Sequence, residues 1–210
     1  MDRESHVVVI IGNGHKKGKE ITMNKVKFGL SNVHIAPITY GADNSVTYGT
    51  IFELPGAVNL SLDAAGESAD FYADNTKYFS DAANQGYTGT LEVALINDNF
   101  REKILGQLKD SNGAFIENAG DTLKDFALGC QFEGDSKGTR YWFYQCSVTR
   151  PSVASQTIET SKSPVTDTLN ITIAARISDK NVMAKMENTN DNTTAYNGFF
   201  SNVYEKVISA

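Results

Sequence analysis

The residue types suited to chemistry in this 210-residue chain are three histidines, two cysteines, one glycine-rich basic run and scattered carboxylates. His6 and His15 fall in the first 22 residues. A zinc site or a Ser-His-Asp triad would therefore be built around His34, and no Gly-x-Ser-x-Gly turn accompanies it. The run Gly12-Asn13-Gly14-His15-Lys16-Lys17-Gly18-Lys19 invites comparison with a phosphate-binding loop. That motif needs about four residues between its glycines, then Gly-Lys and a Ser or Thr for magnesium. Here three residues separate Gly14 from Gly18, and Glu20 follows Lys19. Cys130 and Cys146 form no Cys-x-x-Cys pair and lie in apolar, strand-like segments, FALGCQF and YWFYQCSV, as expected of buried free thiols. Asp63, Glu67, Asp70 and Asp74 do not match the spacing of a calcium-binding EF loop and read as solvated charge. No catalytic group, metal or cofactor is expected.

The balance of charge points the same way. Net charge is −6, and no Lys/Arg run offers the phosphate footprint on which nucleic-acid binding depends. No stretch approaches the about 18 apolar residues that span a bilayer, so no membrane partner is expected. Abundant Thr, Asn, Ser and Gly suit strands joined by polar loops.

Residues 1–22, MDRESHVVVIIGNGHKKGKEIT, read as a leader. Lys16-Lys17-Gly18-Lys19-Glu20 is encodable by purine codons alone and precedes Met23, as a ribosome-binding site translated in frame would. The leader carries four Lys/Arg and three Asp/Glu, which leaves the remainder at −7. One domain over 23–210 follows, with a C-terminal arm at 188–210.

The elements of that domain are mostly strands. Val26, Phe28 and Leu30 alternate, and Val33, Ile35 and Ala36 lead into Pro37. A turn at 41–44 precedes a strand over 46–54, closed by Pro55-Gly56. Val58, Leu60 and Leu62 then alternate with Asn59, Ser61 and Asp63. Residues 64–85 lose the alternation and read as a long aromatic loop that packs on something, either another subunit or the domain's own core. Leu91, Val93 and Leu95 face inward with Thr90, Glu92 and Ala94 outward. Asn97 or Asp98 caps a helix whose stripe is Phe100, Ile104, Leu105 and Leu108. A hairpin follows over 126–148; pairing of Glu133 with Thr139 would set Cys130 across from Trp142 and Cys146 across from Phe126. Leu169, Ile171, Ile173, Ala175 and Ile177 alternate, and Phe199, Phe200, Val203, Tyr204 and Val207 fit helical spacing. Together these predict a mainly β fold, a β-sandwich or flattened barrel with one flanking α-helix.

From Met23 to Val207 the chain resembles the major tail proteins of long-tailed phages of Gram-positive bacteria. The segments carrying the likeness are, in order, KFGLSNVHIAPIT, FYADNTKYF, GYTGTLEVALIND, ILGQLKDSNGAFIEN, RYWFYQCSVTRPS and DTLNITIAARISD. The resemblance implies the tail-tube fold, shared with type VI secretion tube proteins, and hexameric rings stacked into a tube that conducts DNA. It also implies partners: further copies of the chain, tape-measure, tail-terminator and baseplate or initiator proteins, and double-stranded DNA that passes without specific binding. The protein would be found in the virion tail, assembled in the host cytoplasm. Phe71, Tyr72, Asp74, Asn75, Lys77, Tyr78 and Phe79 become candidates for contact between rings, and Asp63 and Glu92 for an acidic lumen wall.

Two other readings compete: a carbohydrate-binding or adhesin-like β-sandwich, and a small hydrolase with two unmarked carboxylates. The leader has its own test. Intact-mass measurement of protein from virions should give a chain starting at Met23, and a mature start before Met23 would refute the assignment.

Overall fold

Among the described residues, half-buried alternation and β-branched side chains make thirteen strands and two short helices. The computed structural model describes residues 29–66, 68–133, 138–157 and 164–207, with the backbone alone for 68–73 and 80–82. The leader, Met23, Val26, Phe28, Glu67 and the hairpin turn at 134–137 lie outside the described residues. In chain order the strands are β1 (Leu30–Tyr40), β2 (Val46–Tyr48), β3 (Phe52–Glu53), β4 (Ala57–Ala64), β5 (Ser68–Ala73), β6 (Thr76–Ala82) and β7 (Tyr87–Val93). Helix α1 (Asp98–Lys103) precedes β8 (Leu108–Lys109), β9 (Phe115–Ile116), β10 (Phe126–Phe132), β11 (Thr139–Val148), β12 (Asp167–Ala174) and β13 (Met183–Met186), and α2 (Thr193–Asn197) comes last.

The main sheet runs β2-β1-β10-β11-β12-β7-β4, all antiparallel, with β3 on β1 and β13 on β11. It closes on itself through residues 52–64. Their first part pairs with β1, His34 with Glu53 and Ile35 with Phe52, and Leu54 N–H donates to Val33 O at 2.8 Å. From Ala57 onward they pair with β7 instead. The change of partner falls at Pro55-Gly56, where Gly56 has φ +82° and a Cβ would sit 2.9 Å from the Ala94 Cβ. The result is a flattened barrel, in keeping with the expected fold class.

Inside it pack Val33, Ile35, Leu54, Leu91, Val93, Phe126, Leu128, Phe143, Leu169, Ile171 and Ile173. Helix α1 flanks this core. Asn97 caps it by accepting the Phe100 N–H at 3.0 Å, and Phe100, Ile104 and Leu105 are buried. Cys130 and Cys146 are buried and free. Burial pushes the Cys130 thiol up to about 12 and raises that of Cys146 as well, so both behave as small apolar side chains.

Several sequence expectations shift for local reasons. Strand β1 runs through Pro37 to Tyr40, because Ile38 N–H turns toward β10, donating to Asp125 O, and Pro37 turns the other way. There the ladder is interrupted between β2 and β3, so no partner requires the missing N–H. That interruption also splits the expected strand 46–54 in two. Val58 is exposed because the β4–β7 register shifts between Ala57 and Asn59. Leu95 is 67% exposed, since β7 ends at Val93 and Ile96 takes the buried position. Leu108 is 70% exposed in a short hairpin with β9 and not on the helical stripe, which stops at Leu105. The hairpin register is Phe132 with Thr139 and Cys130 with Tyr141, one residue from expectation. It recovers at Phe126 with Cys146, because Tyr144 and Gln145 of β11 together oppose Ala127 in a bulge. Residues 199–207 are not helical: α2 ends at Asn197, and turns and extended chain follow.

Phe100→Ala should therefore cost about 3–5 kcal/mol of unfolding free energy by denaturant titration, as loss of a large buried side chain does. Leu108→Ala should stay within about 0.5 kcal/mol, as exposed substitutions do.

Candidate functional site

Register sorts the outward face of three adjacent strands. Asn59 pairs with Glu92, Ser61 with Thr90 and Asp63 with Thr88 across β4 and β7. Thr168, Asn170 and Thr172 of β12 pair with the same β7 residues, Glu92, Thr90 and Thr88. Directly opposed residues share a face, so these nine side chains form one polar surface behind Leu60, Leu62, Leu91, Leu169, Ile171 and Ile173. None of the nine is Lys or Arg. Asp63 and Glu92, reached by alternation alone, thus lie on one face as its two charges. Asp63 is exposed; Glu92 is half-buried and accepts a hydrogen bond from the Thr166 hydroxyl.

The segment 64–85 is a hairpin and not a loop. Beyond Ala64 and Tyr87 the β4–β7 ladder continues, Ala65 N–H donating to Gly86 O and Gln85 N–H to Ala65 O, into β5 and β6, which pair with no third strand among the described residues. Asp74 and Asn75, at φ 51° and 58°, make the two-residue tip. Two successive positive φ values match the twist of a hairpin, and Asn and Asp tolerate them best after glycine. Each strand of the arm is six or seven residues, about 20 Å at 3.3 Å per residue. At its end Asp74, Asn75 and Lys77 are exposed, Tyr78 is 78% exposed and Phe79 57%. Phe71 pairs with Phe79 and Tyr72 with Lys77 along the backbone; the side chains of Phe71 and Tyr72 lie outside the described residues.

A third feature was expected only as a C-terminal arm over 188–210, without its seat on the barrel. The C-terminal segment from α2 to Glu205 lies as a strap over the outer face of β1, β10, β11 and β13. Phe199 and Val203 pack there against Ala36, Ala127, Trp142 and Tyr144. Its anchor is Arg176, which is 5% exposed in the turn between β12 and β13. Arg176 Nε and Nη2 donate to Asp179 at 2.9 and 2.6 Å, Nη2 also to Glu205 at 2.8 Å, and Nη1 to Glu205 and to Tyr48 Oη. All five guanidinium protons are used, and the group lies 4.5 Å from the centre of the Tyr144 ring. Hydrogen bonds to Asp179 and Glu205 raise the Arg176 pKa further, and the Arg176 bond holds Asp179 down at about 2. Burial raises Tyr48 and Tyr144 to about 12.

Among the described residues no three His, Cys, Asp or Glu lie grouped to hold a metal ion. His34 stacks on Phe200 at 4.5 Å between ring centres, with Nδ1 2.7 Å from Asn32 O. Trp142, the one tryptophan, is wholly buried. No helix among the described residues is long and apolar enough to cross a membrane.

The fold is thus a closed β-barrel with one polar outer face and a projecting two-stranded arm. A family model described as phage tail tube protein matches residues 19–138, and the chain belongs to that family. No curated protein matches it. The matched span starts four residues ahead of Met23 and includes the arm, Asp63, Glu92 and α1; β11, Arg176 and the strap lie beyond it. The protein is thus a structural subunit of a phage tail tube, belonging to the virion tail.

The ion cluster gives a direct check. Because the folded-state pKa of Asp179 is depressed, its contribution to stability is present above its ordinary value of 3.8 and is lost as pH falls through about 2. An NMR titration of its carboxyl carbon should show a midpoint near 2, returning toward 3.8 in Arg176→Gln.

Proposed function

We propose that the protein forms hexameric rings that stack into a hollow tube conducting the phage genome into the host. In this reading the β4–β7–β12 face lines the lumen and the hairpin 68–82 reaches the next ring. What carries the reading is that polar face, free of Lys and Arg, with Asp63 and Glu92 as its charges. A wall that lets DNA slide should repel phosphate, and a basic residue there would retain it. At physiological ionic strength a charge acts over about 8 Å, so only carboxylates on the wall itself influence the passing duplex. Thr, Ser and Asn supply the remainder: small, hydrated and uncharged.

The arm supports the second half of the proposal. Exposed aromatics at the end of a two-stranded ribbon are costly in an isolated subunit and useful at an interface. Phe71, Tyr72, Asp74, Asn75, Lys77, Tyr78 and Phe79 form this contact with the neighbouring ring. Tape-measure, tail-terminator and baseplate or initiator proteins meet the tube along its bore and at its ends, and assembly takes place in the host cytoplasm.

Electron microscopy of concentrated protein should show rings or tubes for the wild type. Tyr78→Ser with Phe79→Ser should leave a folded subunit, by circular dichroism, that forms no stacked tubes. Virions carrying Asp63→Lys and Glu92→Lys should eject DNA more slowly. Unchanged ejection would remove these residues from the lumen wall.

A further inference from the structure

The barrel is closed around its girth but open at one end. There Leu60 and Leu62 of β4, Tyr87 of β7 and Phe132 of β10 pack against the core yet stay only half-buried, whereas Leu91, Leu169 and Ile171 of the same core are sealed. Tyr141 and Phe143 of β11 make the floor beneath them. The four rings run in succession: Phe132 to Tyr141 at 5.3 Å between centres, Tyr141 to Phe143 at 6.1 Å, and Phe143 to Tyr87 at 6.1 Å. Together these side chains line a groove of about 670 Å³. Its lining is apolar and aromatic, the composition of a binding pocket, and its exposure to water is unfavourable.

The chain itself enters at this groove. Gly29 and Leu30 belong to its wall, with Leu30 opposite Phe132 in the β1–β10 register and Gly29 O accepting the Glu133 N–H at 3.0 Å. Gly29 has φ +72°, a left-handed backbone that bends the chain at the rim. The residues just before it are Met23-Asn24-Lys25-Val26-Lys27-Phe28. Val26 and Phe28 alternate with Lys25 and Lys27, so an extended segment has one apolar side and one cationic side. An aromatic ring suits a floor made of aromatic rings. Residues 23–28 also fall inside the span matched to the tail tube family, whereas 1–18 do not.

We propose that this groove is the seat of the chain's own residues 23–28, with Phe28 on the aromatic floor, Val26 against Leu60 and Leu62, and the two lysines turned to water. Distance along the chain selects the occupant. Phe28 is the immediate neighbour of the wall residue Gly29, while the other apolar run, Val7 to Ile11, lies beyond residues 12–28. Seated in this way the segment completes the core at the open end of the barrel, and the working domain begins with it and not with the leader. The contact is made within one subunit, so it stands or falls independently of the tube reading.

The test uses the full chain, isotopically labelled at leucine methyl and phenylalanine ring positions. Nuclear Overhauser contacts should join the Phe28 ring to the methyl groups of Leu60 and Leu62 in the wild type and vanish in Phe28→Ser. Their absence from the wild type would overturn the proposal, and this reading needs no variant to fold. The apolar dye anilinonaphthalene sulfonate gives a second one. Val26→Ser with Phe28→Ser should expose the groove and raise dye fluorescence several-fold over wild type, with the strand signal in circular dichroism unchanged. Where the double variant loses that signal, Phe28→Ser alone replaces it. Val9→Asp with Ile10→Asp in the leader should leave the dye at its wild-type level. A rise with the leader variant would make the leader the occupant and overturn the assignment to 23–28. Equal dye fluorescence in wild type and the Val26/Phe28 variant would mean a groove that is already open, and would overturn it too.

Discussion

The structure depends on one strand that is buried on both faces. Tyr141, Phe143, Cys146 and Val148 of β11 fill the barrel, while Trp142 and Tyr144 fill the layer under the strap. A regular strand could not do this with these residues, because Cys146 shares parity with Trp142 and Tyr144. The bulge at Tyr144 and Gln145 resolves the conflict by resetting the alternation midway. It also marks the point where β11 changes partner, from β13 before it to β12 after it. Trp142 lies against Gly129, its register partner, with ring atoms 3.0 Å from where a Cβ would stand. A side chain at 129 would oblige the buried indole to shift by a few tenths of an ångström.

With the core filled from β11, other parts of the chain are released from packing. The outer face of β4, β7 and β12 can be small and polar because their inner faces supply the barrel. The hairpin 68–82 can leave the sheet because the ladder that supports it, from Ala57 with Val93 to Ala64 with Tyr87, is already anchored. A two-stranded ribbon is marginal by itself in water. Here it is an extension of a barrel strand pair, with Tyr78 and Phe79 exposed near its tip.

Legibility in the sequence followed the range of the interactions. Leu169, Ile171 and Ile173 were readable because a strand with one buried face writes its period into two residues. The Asn97 cap was readable because it acts within one helical turn. The arm was not, since a ribbon with no core face shows no alternation; its signal was the Asp74-Asn75 pair, a two-residue tip inside a polar stretch. Leu95 and Leu108 misled because periodicity does not say where an element stops. Lumen candidates Asp63 and Glu92 came from alternation, but their shared face emerged only from the β4–β7 register. Arg176 was invisible for a different reason: its partners, Tyr48, Asp179 and Glu205, are spread over most of the chain, and no local pattern joins them.

The central claim concerns which surface faces the genome. A cryo-electron-microscopy map of the assembled tail at side-chain resolution tests it most directly. The account predicts a hollow tube whose bore is lined by the β4–β7–β12 face, with Asp63 and Glu92 on the wall and residues 68–82 against the adjoining ring. A bore lined by another face of the barrel, or arms projecting free into solvent, would contradict it.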